Sequence, residues 1–99
     1  PPATPSLTVA TVAFAGQSAE LSDAAKADLN RVAKNLSGVR QIEVRAYASG
    51  SDPAETRKIA LARALVVRSY LIDQNVKTRI EISGASGGGE RVDIMTSGN

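Results

Sequence analysis

The side chains that could carry out chemistry in this 99-residue chain are carboxylates, guanidiniums and hydroxyls, because the sequence contains neither histidine nor cysteine. Histidine is the usual general base and the commonest metal ligand, and cysteine supplies thiol nucleophiles and zinc sites. Most hydrolytic sites need one of the two. The composition therefore argues against an enzyme, and we expect no metal and no cofactor.

Three carboxylates on predicted strands are the remaining candidates for acid–base work: Glu43, Glu81 and Asp93. A glycosidase-type site would need two of them to converge in a cleft. Strand alternation instead places them on the solvent face, where each pairs with a strand arginine. The arginines in question are Arg45, Arg79 and Arg91.

Two other patterns suggest ligand binding and are better explained otherwise. The glycine-rich residues 84–89 lack the lysine and the following helix of a phosphate-binding loop, so they are predicted to be a flexible connector. Basic residues on the predicted helices could face a nucleic acid, but aromatic residues for base stacking make up only 3% of the chain. These basic residues are Arg31, Lys34, Arg57, Lys58, Arg63 and Arg68. With interleaved charges and a net charge of +2, we expect no nucleic-acid partner.

The elements that would position these side chains follow from hydrophobic periodicity. Residues 7–14 and 41–47 are predicted strands. Between them, Ser22 is a good N-cap for an amphipathic helix that reaches Leu36, with Gly38 at its C-terminal end. Residues 1–6 form a proline-rich linker and residues 97–99 a tail, which leaves 7–96 as one domain.

A second helix is predicted from Pro53 to about Gln74, with Asn75 in the left-handed conformation that ends it. This helix is apolar around much of its circumference, so we expect it to be buried on more than one side. Short strands at 79–83 and 91–95 complete the order βαβαββ. The sequence thus predicts an α+β two-layer sandwich, a mixed four-stranded sheet with two helices on one face. Apolar runs such as 64–67 are far too short to insert in a membrane.

Several strings occur in the order and near-spacing of a known family. They are Tyr47-Ala48-Ser49, then residues 59–64 (IALARA), Tyr70-Leu71 and Asn75-Val76, with Val12-Ala13-Phe14 before them and Arg91-Val92-Asp93-Ile94 after them. Over residues 9–95 the chain resembles the OmpA-like C-terminal domain family.

The resemblance implies a non-catalytic periplasmic domain that binds the peptidoglycan stem peptide. In that family an aspartate and an arginine face the ammonium and the carboxylate of diaminopimelate. A guanidinium suits the carboxylate because its planar fork donates two parallel hydrogen bonds. The family arginine falls on Arg63, but the family aspartate falls on Ser49.

Other positions also depart from the family pattern. The motif asparagine falls on Thr56, and Gly89-Glu90 replaces an Asn-Arg pair. Asp52 is a candidate substitute for the missing aspartate, although its place before Pro53 is equally that of a helix N-cap. Removing one partner of a desolvated charge pair costs about 2–5 kcal/mol, so ligand binding should be weak or absent.

Each predicted ligand residue also has a purely structural interpretation. Arg63 would bind the ligand carboxylate, or would pair with Asp52, Glu55 or Glu90. Arg91 would assist at the same anion, or would be an ordinary strand residue. Tyr47 would line the slot, or would cap the core at a strand end.

Two functions therefore stay open. In the first, the domain contacts the stem peptide weakly through Arg63, with Ser49, Asp52, Tyr47, Thr56 and Arg91 around it. In the second, the scaffold has lost peptidoglycan binding and contacts a protein partner in the periplasm.

Overall fold

The sheet and helices are described by a computed structural model over residues 7–16, 18–36 and 39–96. The elements are β1 (Leu7–Ala13), α1 (Asp23–Asn35), β2 (Gln41–Ala48), α2 (Pro53–Asp73) and β3 (Arg79–Thr96). The predicted linker, the predicted tail and Gly38 lie outside these residues.

The long strand β3 contributes twice to the sheet because it folds back on itself. Its first limb, residues 79–86, pairs parallel to β2, from Gln41↔Arg79 to Ala48↔Ser86. Its second limb, residues 91–96, pairs with the other edge of β2 in the opposite sense, as in Val44↔Ile94, and also pairs antiparallel with β1. Four strands therefore lie side by side, in the order β1, second limb, β2, first limb. The predicted mixed four-stranded sheet with two helices is confirmed.

The core lies between one face of this sheet and the two helices. Alternate residues of β2 are fully buried on that face, while the residues between them are half-buried on the open face. The buried set is Ile42, Val44, Ala46 and Ala48. The helices cover it with Leu29 and Val32 from α1, and with Ala60, Ala64, Val67 and Leu71 from α2.

The start of α1 and the end of α2 follow the predicted capping chemistry. The Ser22 hydroxyl accepts the Ala25 N–H at 3.1 Å. At the end of α2, Asn75 has a φ of 67°, as predicted, and the Val76 N–H donates to the Leu71 carbonyl at 3.1 Å. Together with the bond from the Asn75 N–H to the Ile72 carbonyl, these contacts form a Schellman motif.

The expectation that α2 is buried on more than one side was wrong. Its buried residues lie on one stripe, and the apolar side chains opposite are exposed: Leu61 by 37%, Leu65 by 48% and Ile72 by 45%. The sheet has one helical layer on this face, so it can cover only one side of the helix.

The prediction that residues 84–89 form a loop was also wrong, because β3 runs through them. Gly84 pairs with Ala46 in the sheet, and the chain then turns at Gly87 and Gly89, whose φ angles are 85° and 101°. A Cβ at Gly84 would lie 3.0 Å from Leu61 Cγ and 3.2 Å from Leu61 N. Glycine here marks a close approach of strand to helix rather than an end of the strand.

We predict that Gly84→Ala lowers the free energy of unfolding by about 1–2 kcal/mol, because the new methyl group forces α2 and β3 apart. Urea unfolding measures the change. Adding Gly84→Ala to a Leu61→Ala protein should cost less stability than adding it to the parent, since two of the three close atoms belong to the Leu61 side chain. A Gly84→Ala variant as stable as the parent would contradict this packing.

Candidate functional site

Arg63 is the largest fully buried side chain among the described residues, with an exposure of 0%. Each of its three guanidinium nitrogens donates to a backbone carbonyl. The Nε–H donates to Ser18 at 2.7 Å, Nη1 to Tyr47 at 2.9 Å and Nη2 to Gly16 at 2.6 Å. Arginine suits this position because it has five N–H donors and no acceptor.

These bonds join parts of the chain that are distant in sequence. Gly16 and Ser18 belong to the segment between β1 and α1, Tyr47 lies near the end of β2, and Arg63 lies on the inward stripe of α2. The sharp turn at Gly16, where φ is 50°, helps to bring its carbonyl to the guanidinium. Arg63 therefore fastens a connecting segment and a strand end to the second helix.

Glu90 supplies the negative charge that this buried cation needs. Its Oε1 lies 3.0 Å from Arg63 Nη1, and its Oε2 accepts the Ser49 backbone N–H at 2.8 Å. Oε1 has no aligned hydrogen bond in the described residues, so its contact with Arg63 is a charge pair. The Phe14 ring, whose centroid is 5.1 Å from Arg63 Cζ, adds a cation–π contact.

The surroundings of Glu90 favour its ionised form. Partial burial alone would raise the pKa of Glu90, but the hydrogen bond from the Ser49 N–H and the Arg63 charge outweigh that effect, so the pKa of Glu90 lies below its ordinary value. The pair is therefore charged at neutral pH.

The segment between β2 and α2 contains the residues that cap the start of α2. The Asp52 side chain accepts the Ala54 N–H at 3.0 Å, which makes it the N-cap of α2. Thr56 is buried, and its hydroxyl donates to the Asp52 carbonyl at 2.7 Å. Gly50 packs on that hydroxyl so closely that a Cβ would lie 2.7 Å from it.

Tyr47 and Arg91 meet on the opposite, open face of the sheet. The Arg91 guanidinium carbon lies 4.2 Å from the centroid of the Tyr47 ring, and Arg91 Nε lies 3.3 Å from Asp93 Oδ1. The six predicted ligand residues therefore do not share one slot. Near the end of β2, on the side that α2 covers, lie Ser49, Asp52, Thr56 and Arg63. The side chains of Tyr47 and Arg91 lie on the opposite, open face of the sheet.

The three strand carboxylates lie on this open face beside the predicted arginines, but each pair joins residues i and i+2 of one strand rather than residues of neighbouring strands. Nitrogen–oxygen distances are 3.0 Å for Glu43–Arg45, 3.7 Å for Glu81–Arg79 and 3.3 Å for Asp93–Arg91. Within the described ranges, no three acidic side chains gather as a metal site would require. None of the helices there is both long enough and apolar enough to cross a membrane.

Sequence reasoning named Glu90 only as one of three candidate partners for Arg63. It missed the three carbonyl acceptors, because backbone groups leave no signal in the residue types. The available signal was a departure from the family pattern at two places: an acid absent at Ser49, and an acid present at Glu90.

Comparison with protein families and solved structures agrees with this fold. The model of the OmpA family matches residues 13–98. No curated protein matches the chain by sequence.

Three solved structures show how far the fold is shared. The OmpA-like domain of FopA1 from Francisella tularensis superposes with a TM-score of 0.80 at 20% identity, over 88% of this chain and 70% of that one. The peptidoglycan-associated lipoprotein from Burkholderia pseudomallei gives 0.76 at 20% identity, over 85% and 86%. The C-terminal domain of Helicobacter pylori MotB gives 0.74 at 18% identity, over 90% and 85%.

We predict that Arg63→Met lowers the free energy of unfolding by about 3–5 kcal/mol, because it leaves three carbonyls and a carboxylate without their donor. Urea unfolding measures the change. Arg68→Met, at an exposed position of the same helix, is the control and should change stability by less than about 0.5 kcal/mol. Equal effects of the two substitutions would contradict the role given to Arg63.

The lowered pKa of Glu90 also predicts a pH dependence. A carboxyl whose pKa is lower in the folded than in the unfolded state stabilises the fold above its unfolded pKa, about 4.3 for glutamate. That contribution is lost as the pH falls through the folded pKa. The free energy of unfolding of Glu90→Gln should therefore fall less steeply below about pH 5 than that of the parent. Glu55→Gln, at an exposed side chain, is the control; a parental slope in Glu90→Gln would contradict the assignment.

Proposed function

The chain belongs to the OmpA family, and we propose that it is a non-catalytic domain of the bacterial cell envelope that contacts peptidoglycan weakly. Its ligand would be the diaminopimelate of the stem peptide, and its location the periplasm. The proposal extends to this chain what the resemblance implies, adjusted for the residues that differ.

The observation that carries the proposal is the full burial of Arg63 against Glu90. A ligand carboxylate can reach this guanidinium only by displacing the carboxylate already beside it. Exchanging one carboxylate for another gains little, because the cation is compensated before and after. Glu90 thus acts as an internal competitor for the position that a ligand would occupy.

The ammonium of the ligand also lacks a dedicated partner. Ser49 is neutral where the family has an acid, and the Asp52 carboxylate is engaged at the start of α2. The proposal therefore retains Arg63 and the segment 49–52, with Thr56 supporting that segment through its bond to Asp52. It leaves out the side chains of Tyr47 and Arg91, which lie on the other face.

A second function is favoured by the same burial. If the Arg63–Glu90 pair never opens, the domain is a degenerate member of the family that keeps the scaffold, does not bind peptidoglycan and contacts an envelope protein. The absence of histidine and cysteine makes catalysis the least supported alternative.

A titration with a diaminopimelate-containing stem peptide, followed by NMR at residues 49, 52 and 63, separates these functions. We expect the parent to bind with a Kd above about 1 mM, which corresponds to a binding free energy weaker than about −4 kcal/mol. Ser49→Asp/Glu90→Gln restores an acid at the family position and removes the competitor. It should bind at least about tenfold more tightly.

The matched control is Ser51→Asp/Glu90→Gln, which adds the same charge at an exposed position two residues further on. Its affinity for the stem peptide should rise by less than that of Ser49→Asp/Glu90→Gln. A folded Ser49→Asp/Glu90→Gln protein that does not bind would contradict the proposal and favour the degenerate scaffold.

A further inference from the structure

One flank of α2 carries exposed apolar side chains among exposed cations. The apolar residues are Leu61, Leu65 and Ile72, and together they are called the outer stripe of α2. We propose that the outer stripe binds a membrane surface that is rich in anionic lipid headgroups. The proposal is independent of peptidoglycan binding, because buried Arg63 lies about 180° away on the opposite side of the same helix.

The outer stripe is continuous and lies on the flank of α2 that α1 does not cover. At 3.6 residues per turn its three residues fall within about 40° of one another, and they extend about 16 Å along the helix. The buried side of the helix, which packs on the sheet, is centred about 130° away. On the other flank, the Tyr70 hydroxyl donates to the Asn30 side chain of α1 at 2.9 Å. The outer stripe therefore faces away from α1.

Positive charges border the outer stripe on both sides. Arg57 and Arg68 fall about 40–60° from its centre on one side, and Lys58 falls about 40° from it on the other. All three side chains are exposed. The two acidic residues of this helix, Glu55 and Asp73, fall about 100° from the centre. The flank as a whole is therefore apolar and cationic.

These cations are available to an anionic partner. Within the described residues, Arg57 and Arg68 take part in no ion pair. The Lys58 ammonium lies 3.5 Å from a Glu55 carboxylate oxygen, but both side chains are exposed, so this pair is weak. Their long apolar stems let the charged ends reach headgroups while the neighbouring apolar side chains lie deeper.

This combination of side chains fits an anionic membrane better than a peptide. Helices that lie at a membrane interface present apolar residues beside lysine and arginine, and anionic lipids attract those cations. A helical peptide partner docks in an apolar groove, whereas the outer stripe is one flank of a single helix, with α1 on the other side. A bilayer surface needs no groove. The contact takes place at the headgroups and needs no membrane-spanning segment.

Cosedimentation of the 99-residue chain with large unilamellar vesicles tests the proposal. We expect binding to vesicles of equal parts phosphatidylglycerol and phosphatidylcholine in about 20 mM salt. The partition coefficient should fall at least about tenfold with vesicles of phosphatidylcholine alone, which lack the anionic headgroup. It should fall by a similar factor in about 500 mM salt, because salt screens exposed charges.

Substitutions assign the binding to the outer stripe and its cations. Arg68→Gln removes one cation and should lower the partition coefficient about fivefold. Lys34→Gln removes the same charge from an exposed position of α1 and is the matched control, with a change of less than about twofold. Leu65→Gln replaces an apolar side chain of the stripe and should lower the partition coefficient at least about threefold.

A tryptophan probe separates insertion of the stripe from a purely electrostatic contact. The chain contains no tryptophan, so the emission of a Leu65→Trp protein reports on that position alone. We expect it to shift to shorter wavelength when anionic vesicles are added, because the ring enters a less polar environment. Ala27→Trp, at an exposed position of α1, is the control and should not shift.

Three results would overturn the proposal. The first is a chain that stays in the supernatant with anionic vesicles at low salt, which would point to a protein as the partner of this flank. The second is an equal loss of binding in Arg68→Gln and Lys34→Gln, and the third is a Leu65→Trp emission that does not shift. Because the vesicles contain no peptidoglycan, these outcomes do not depend on whether the domain binds the stem peptide.

Discussion

The buried guanidinium of Arg63 is the interaction on which this end of the molecule depends. A charge without access to solvent must be compensated, and here three carbonyls and one carboxylate do so. The four acceptors come from three different places in the chain, so the arginine fixes their relative positions. The segment after β1, the end of β2 and Glu90, which directly precedes the second limb of β3, are held together by one side chain.

This constraint changes what an arginine at the family position can do. An arginine that binds a ligand must be accessible to it, whereas Arg63 is fully buried and already has a protein oxygen at every nitrogen. The exchange of acids, with Ser49 where the family has aspartate and Glu90 where it has arginine, keeps one carboxylate in the neighbourhood. We propose that this carboxylate serves the fold first, and that weak ligand binding is the consequence.

Local signals in the sequence predicted much of the fold, and tertiary contacts decided the rest. Ser22, Asp52 and Asn75 act within one helical turn. Ser22 and Asn75 were found in their predicted roles, and Asp52 takes the N-cap role, which was one of its two interpretations. Gly84 was misread because its reason is the approach of Leu61, a residue from another element. The exposure of Leu65 and Ile72 was misread because apolar residue types do not show which side of the helix the sheet covers. The partners of Arg63 are mostly carbonyls, which no residue type records. A sequence can therefore indicate that a buried charge needs partners, but it does not identify the backbone groups that serve as those partners.

The most direct test of the account is the hydrogen-exchange rate of the Arg63 Nε–H, measured by NMR beside that of exposed Arg68 in the same protein. The account predicts that the Arg63 proton exchanges at least about a hundredfold more slowly, because it is bonded to the Ser18 carbonyl in a closed part of the structure. Equal rates for the two arginines would show that the Arg63 guanidinium is open to solvent, and would contradict the central claim.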